Sequence, residues 1–414
     1  MEDDRVYKPD LTLAPAELLR RCAEEYGTPV LVYSGRVLRE RQAMLRQAFG
    51  WNPGYFQFFP VSAADELGLL RLILLDESGV ACSSRLQLLL AKKAGARPDQ
   101  ILFRAVFPTE QDIRTARELD CLEIVNSLEQ VRLYGERGWL PRRLGLRFQP
   151  DGSFSLRGCL RSNVMPSRFG MTREEILTAA ELLAREPVEE LGLYMQLSNN
   201  ETASGYLAAV SRTLLELLPE VEQRAGRPVA WCDIGGGLAV PNRKRPEIDL
   251  IREAELVHEA FQEADRERMS LHTQLGRFVA GPAGVLLSQV RGTRSGQRNI
   301  LGVDASLADL PRSAMTGVDY HISLLGNSSL TGRRTYYVEG PTMEKMDRYG
   351  RQHVLPETHQ GDILVFHDAG AFTRSMASNH GGSLRCPVVL LEGQQIHLLR
   401  RRETDEDYFR LYSE

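Results

Sequence analysis

Eight short apolar runs separated by amphipathic stretches constrain this chain more than any other feature. They lie at 55–61, 80–84, 101–105, 122–125, 143–149, 190–198, 229–234 and 270–274. Helical periodicity fills most of the gaps, as at 109–119, 173–186, 206–218 and 249–268. Strand and helix alternating in this way predict an α/β fold, a (β/α)8 TIM barrel, whose functional loops sit at the C-terminal ends of the strands.

The texture changes after Gly281-Pro282. Strand-like stretches at 284–292, 335–338, 362–367 and 394–400 come with turns and few helices, which predicts a C-terminal all-β domain. The stretch 29–34 is also strand-like. The expected division is an N-terminal segment over 1–30 that joins the β domain, the barrel over 31–281, and a β-barrel domain over 282–414. A chain of 414 residues exceeds one ordinary core, which agrees with two domains.

Charge excludes some functions. The net charge is −4, which gives no electrostatic case for nucleic acid or an anionic membrane surface. No apolar run approaches a membrane span. The six cysteines are scattered without metal-ligand or disulfide spacing. The opening MEDDRVYKPD is acidic and polar, unlike a signal peptide, so the cytoplasm is the expected compartment. Only five of the 51 basic residues are lysine: Lys8, Lys92, Lys93, Lys244 and Lys345. Any lysine chemistry must use one of these.

The sharpest motif is WCDIGGGLAVP at 231–241. A strand running into Gly235, Gly236 and Gly237 lets backbone amides approach an anion, so a phosphate cradle is expected there. A tight turn that needs positive φ is the other reading. QLGRF at 274–278 follows the eighth strand, where Arg277 would add charge to the same phosphate. The segments EGPTMEKMD (339–347) and GDILVFHDAGAFTRSMASNHGG (361–382) are loop-like, and pattern alone gives them no role.

These stretches, with YGTPVLVYS (26–34), PSRFGM (166–171) and the HLLRRRET tail, resemble the fold-type III pyridoxal-phosphate decarboxylases. That family includes the diaminopimelate, ornithine and arginine decarboxylases. The similarity is closest in flavour to the branch that decarboxylates carrier-protein-bound glutamate in butirosin biosynthesis. The resemblance implies an alanine-racemase-type barrel plus a β domain. It also implies a head-to-tail homodimer whose β-domain loops complete the partner's active site.

The same resemblance implies a depleted active site. The family's Schiff-base lysine falls at Ser62 in YFQFFPVSAADELGLL (55–70), and a hydroxyl cannot form an imine. The histidine that stacks on the pyridine ring falls at Gln196, and a phosphate-binding serine at Asn199. The glutamate that keeps the pyridine nitrogen protonated falls at Gln274, the cysteine of the partner loop at Met343, and a phosphate-binding tyrosine at Phe372. Gly235, Gly236, Gly237, Arg277 and Arg147 survive as an anion site. Glu344 and Asp347 survive in the partner loop, with ligand reading and loop solvation as the two readings of them.

The expected function is therefore a decarboxylase-like pseudoenzyme of a biosynthetic pathway that does not decarboxylate. It would bind a phosphate-bearing ligand, a carrier protein or an active decarboxylase partner. No covalent cofactor is expected, and pyridoxal phosphate would bind non-covalently or be replaced by another phosphate ligand. The alternative is an enzyme with altered chemistry acting on an amino acid, free or carrier-bound. It would use Ser62, Tyr194, Gln196, Asn199, His272 and Gln274, or an imine relocated to Lys345. Strand alternation leaves His272 either in the core or at the mouth.

Overall fold

A computed structural model describes residues 13–150, 154–156, 159–161, 167–240, 248–327 and 332–413. Its first strand, β1 (Val30–Ser34), is followed by β2 (Phe56–Pro60), β3 (Gly79–Cys82), β4 (Ile101–Phe103), β5 (Leu122–Val125) and β6 (Arg143–Arg147). A small hairpin comes next, β7 (Phe154–Leu156) with β8 (Cys159–Arg161). Then come β9 (Glu190–Tyr194), β10 (Val229–Asp233) and β11 (Ser270–Thr273). Strands β2 to β6 and β9 to β11 pair in parallel, and β11 closes on β2 to complete an eight-stranded barrel. The eight expected runs are these strands, each observed strand being as short as three to five residues. The extra residues expected at their ends are the exits that build the mouth.

Five of the barrel helices begin where the sequence supplies a side-chain acceptor. Ser84, Thr109, Ser127, Thr172 and Asp249 each accept a hydrogen bond from a backbone amide in the first turn of the helix that follows. Such caps are worth about 1 kcal/mol each. The helices then bury one face over the strands, as Leu207, Val210, Leu214, Leu217 and Val221 do in the helix Tyr206–Ala225.

Inside the barrel, alternate residues point inward. Phe58, Ala81, Leu102, Leu122, Ile124, Tyr194 and Trp231 form one buried cluster there. Trp231 takes the space left by two glycines. A Cβ on Gly192 would lie 2.1 Å from its indole, and one on Gly145 2.4 Å from it. His272 stacks on Trp231, with ring centroids 5.0 Å apart and planes 21° apart, and meets the edge of Phe58. Of the two places that alternation left open for His272, the aromatic filling is the one it occupies here.

The second sheet begins with β12 (Gly284–Arg294), β13 (Ile300–Val303), β14 (Ile322–Leu324), β15 (Arg334–Glu339) and β16 (His353–Leu355). It continues with β17 (Ile363–Phe366), β18 (Val388–Glu392) and β19 (Gln395–Arg400). The strand β1 is inserted between β12, antiparallel, and β18, parallel. Strands β13, β14, β16 and β18 were not expected from pattern.

The sheet domain grips the exit of β2. The Phe372 amide donates to the Ala63 carbonyl at 2.7 Å, and the Ser375 hydroxyl donates to the Ser62 carbonyl at 2.7 Å. Nearby, Arg400 donates to buried Glu66 at 3.0 Å.

Candidate functional site

The barrel mouth is built by the residues where strands end. Arg147, Tyr194 and Asp233 are the last residues of β6, β9 and β10, and Arg104, Asn126 and Gln274 lie just beyond β4, β5 and β11. The ladder extends into these exits: the Arg104 amide donates to the Cys82 carbonyl at 2.8 Å, and the Gln274 amide to the Gly235 carbonyl at 2.6 Å. The mouth is therefore positioned by the barrel itself and not by long loops.

The glycine turn after β10 has a local explanation. Gly235 and Gly237 have φ of +67° and +103°. A Cβ on Gly236 would lie 2.1 Å from the Gln274 carbonyl oxygen, and one on Gly237 2.2 Å from that of Ser198. Backbone packing thus requires glycine whatever ligand lies outside. The Gly235 amide already donates to Asp233 at 2.7 Å.

Asp233 and Gln274 form the deepest polar pair. The Gln274 amide donates to Asp233 at 2.7 Å, and Gln274 Oε1 is buried without a hydrogen-bond partner among the described residues. Burial pushes the Asp233 carboxyl up to about 6, against the lowering effect of the Gln274 and Gly235 hydrogen bonds. Beside this pair, the Tyr194 hydroxyl donates to Gln196 at 2.9 Å, and the Gln196 amide donates to Asn199 at 3.0 Å.

Arg277, in the short helix Gly276–Ala280, donates to Asn200 at 2.6 Å. Its guanidinium lies 5.4 Å from the Phe372 ring centroid, and that of Arg312 lies 5.2 Å from the same ring. Phe372 itself holds a φ of +59°, which is unusual for an aromatic residue. Burial, and then the like charge of Arg312, pushes Arg277 down to about 10. Like charges held this close favour a bound anion. Arg312 was missed by sequence reasoning because it lies in a six-residue helix, Pro311–Thr316, with no motif around it.

The other side of the mouth is a cavity of about 460 Å³ lined by Ser83, Arg104, Phe107, Asn126, Arg147 and Phe169, among others. Arg147 donates to Asn126 at 3.3 Å and lies over the rings of Phe169 and Tyr194 at 4.4 and 5.2 Å. Burial lowers its pKa, and the nearby charge of Arg104 adds to the shift. Arg104 escaped the sequence reading although it has a signal: it follows Leu102 by two and so shares its inward face.

The β-domain loop is split in its behaviour. Met343 is fully exposed, and Glu344 and Lys345 are exposed. Glu344 contacts His380 at 3.3 Å. Asp347 is buried, and its two oxygens accept the backbone amides of Leu307 at 2.8 Å and Thr342 at 2.9 Å. Its carboxylate is thus engaged by backbone amides of its own domain rather than solvated with the loop around it. Lys92 and Lys93 are exposed on the helix Arg85–Ala94, while Lys8 and Lys244 lie outside the described residues. Ser62 is half-buried beside β2. No metal-ligating group of three occurs among the described residues, and no described helix is long and apolar enough to cross a membrane.

A closed parallel barrel with an arginine-rich mouth, gripped by a sheet domain that holds the strand preceding the barrel, defines the alanine-racemase-type architecture. The chain belongs to the fold-type III pyridoxal-dependent decarboxylases: the family described as "Pyridoxal-dependent decarboxylase, pyridoxal binding domain" matches residues 36–281. Protein TabA of Pseudomonas amygdali pv. tabaci is 28% identical over 398 residues, covering 94% of this chain and 92% of TabA. The diaminopimelate decarboxylase of Methanothermobacter thermautotrophicus is also 28% identical, with the same coverage of each chain. A crystal structure of a diaminopimelate decarboxylase superposes with a TM-score of 0.84 at 26% identity, covering 98% of this chain and 99% of the other.

Proposed function

We propose that this chain has the decarboxylase fold without the family's covalent grip on pyridoxal phosphate, and that it binds an anionic ligand at the barrel mouth without decarboxylating it. The observation that carries the reading is the hydroxyl of Ser62 at the exit of β2, a segment held in place by Ser375. A serine offers no amine for an imine. Gln274 supports it, since its amide is committed to Asp233 and brings no negative charge to a pyridine nitrogen.

The residues present fit part of the cofactor. Arg277 and Arg312 suit its phosphate, and Gln274 Oε1 is a buried acceptor awaiting a donor. They do not fit its covalent attachment at Ser62. Pyridoxal phosphate held only by its charge, or another phosphate ligand, is consistent with this set. We place the natural partner among carrier proteins or active decarboxylases of a biosynthetic pathway, with the chain itself a homodimer.

The test is an absorption spectrum with and without pyridoxal phosphate, followed by borohydride and intact mass, alongside assays for carbon dioxide release from diaminopimelate, ornithine and arginine. No covalent adduct and no release are expected. Release of carbon dioxide from any of them would end the proposal.

A second reading is favoured by Asp233. A buried carboxyl that titrates near 6 at a barrel mouth is suited to accept and return a proton near neutral pH. In that reading the chain is an enzyme of altered chemistry. A turnover found with an amino acid or its carrier-bound form, and lost in Asp233→Asn, would establish it.

A further inference from the structure

We propose that the β3–β6 side of the barrel mouth is a binding site for the carboxylate of a small organic acid, held between Arg104 and Arg147. This goes beyond the anion site expected of Arg147 together with Arg277 and the glycines, because Arg147 shares with Arg104 a cavity that neither Arg277 nor Gly235, Gly236 and Gly237 line.

The two guanidiniums enter one cavity of about 460 Å³ from the ends of β4 and β6. Arg147 is only 8% exposed. The Nε atoms of both arginines are buried without a hydrogen-bond partner among the described residues. Neither arginine forms an ion pair with an acid among the described residues. The one carboxylate that lines the cavity, Asp112, is already used by the backbone amides of Arg85 and Thr109, each at 2.8 Å.

A buried charge without a counter-charge is costly, and the protein supplies only partial compensation. Asn126 accepts one bond from Arg147 at 3.3 Å. The Tyr194 ring lies 5.2 Å from Arg147 and 5.8 Å from Arg104. Ring faces stabilise a cation from above and below its plane. They leave the in-plane N–H groups unfilled, and those are the groups a planar carboxylate matches in pairs. The remaining walls include Val106, Phe107 and Phe169. Arg168, a third arginine on the wall, lies over the Phe169 ring at 4.9 Å. These apolar side chains beside the guanidiniums give the hydrocarbon body of an organic acid a surface that a bare inorganic anion would not use.

The test is titration calorimetry of the full chain, without added pyridoxal phosphate, against glutarate, phenylacetate and inorganic phosphate. Its readout is independent of the borohydride result. At least one carboxylate is expected to bind, and Arg104→Gln and Arg147→Gln are each expected to weaken that binding at least about tenfold. Arg114→Gln, an exposed arginine paired with Glu110 on the helix Glu110–Glu118, should leave it unchanged. Ligand-free Arg104→Gln should melt no lower than the parent, because it removes a half-buried guanidinium whose Nε is buried without a partner among the described residues. A lower melting temperature would make Arg104 structural and overturn the proposal.

Ser83→Asp provides a second arm if an arginine variant fails to fold. Cys82 is opposite Phe103 in register, so position 83 lies beside Arg104. A tethered carboxylate there should raise the melting temperature and abolish carboxylate binding. The proposal falls if neither carboxylate binds, or if binding survives both Arg104→Gln and Ser83→Asp. It also falls if phosphate binds more tightly than either carboxylate in an Arg104-dependent way.

Discussion

The side-chain amide of Gln274 donates to a carboxylate oxygen of Asp233 at 2.7 Å, and both residues are buried at the barrel mouth. Burial outweighs the two hydrogen bonds that Asp233 accepts, so its carboxyl is pushed up to about 6. An unfolded aspartate titrates near about 3.9. The stability carried by the protonated form is therefore complete below about pH 4 and lost as pH rises through about 6. Asp233→Asn does not titrate. The stability difference between variant and parent should move in the variant's favour by about 3 kcal/mol between about pH 3.5 and about pH 7. Urea unfolding at the two pH values measures this, and a constant difference would mean that burial does not penalise the ionised form.

His272 has the opposite sign. Burial against Trp231 and Phe58 pushes it down to about 3. The folded protein therefore keeps it neutral while the unfolded chain protonates near about 6.5. Its contribution is complete above about pH 6.5 and is lost as pH falls toward about 3. His272→Phe keeps an aromatic ring and removes the titration. The variant should retain on the order of 4 kcal/mol more of its neutral-pH stability than the parent at about pH 3. Tryptophan fluorescence during acid titration reports this directly, since Trp231 is the stacking partner.

Ser62→Lys tests the missing amine. If the mouth otherwise accepts pyridoxal phosphate, the variant should gain an absorption band with the cofactor. It should also gain a stoichiometric borohydride-fixed mass increase that the parent lacks. Peptide mapping should place the adduct on residue 62. Failure to form it in a folded variant would mean that the cofactor's ring has no room beside Gln274 and Gln196.

Asp347→Ala should destabilise the chain by about 2 kcal/mol or more, because the backbone amides of Leu307 and Thr342 lose a charged acceptor. The midpoint of urea unfolding reads this. A substitution that leaves the midpoint unchanged would return Asp347 to the pool of ligand-reading residues.

The barrel was legible because its strands and helices alternate in periodicity, from 55 to 274. Strands such as β14 and β16, three residues each, carry too few side chains for alternation to register. Directions inside the mouth were less legible than the residues themselves. His272 could be assigned to core or mouth only once Trp231, on the neighbouring strand, was seen to stack on it. Arg104 and Arg147 are far apart in sequence, and their shared cavity depends on the order in which β4, β5 and β6 pair. The role of Asp347 rested on backbone amides from Leu307 and Thr342, which no motif announces.

The hydrogen bonds from Phe372 and Ser375 to the carbonyls of Ala63 and Ser62 cross the whole length of the barrel sequence. They make the chain poorly divisible. A fragment that ends at the last barrel strand would keep every strand of the barrel, yet lose Arg277, Arg312, the ring both guanidiniums approach and the clasp on residue 62. Grafting this mouth onto another scaffold, or trading it between relatives, therefore has to move both halves of the polypeptide together.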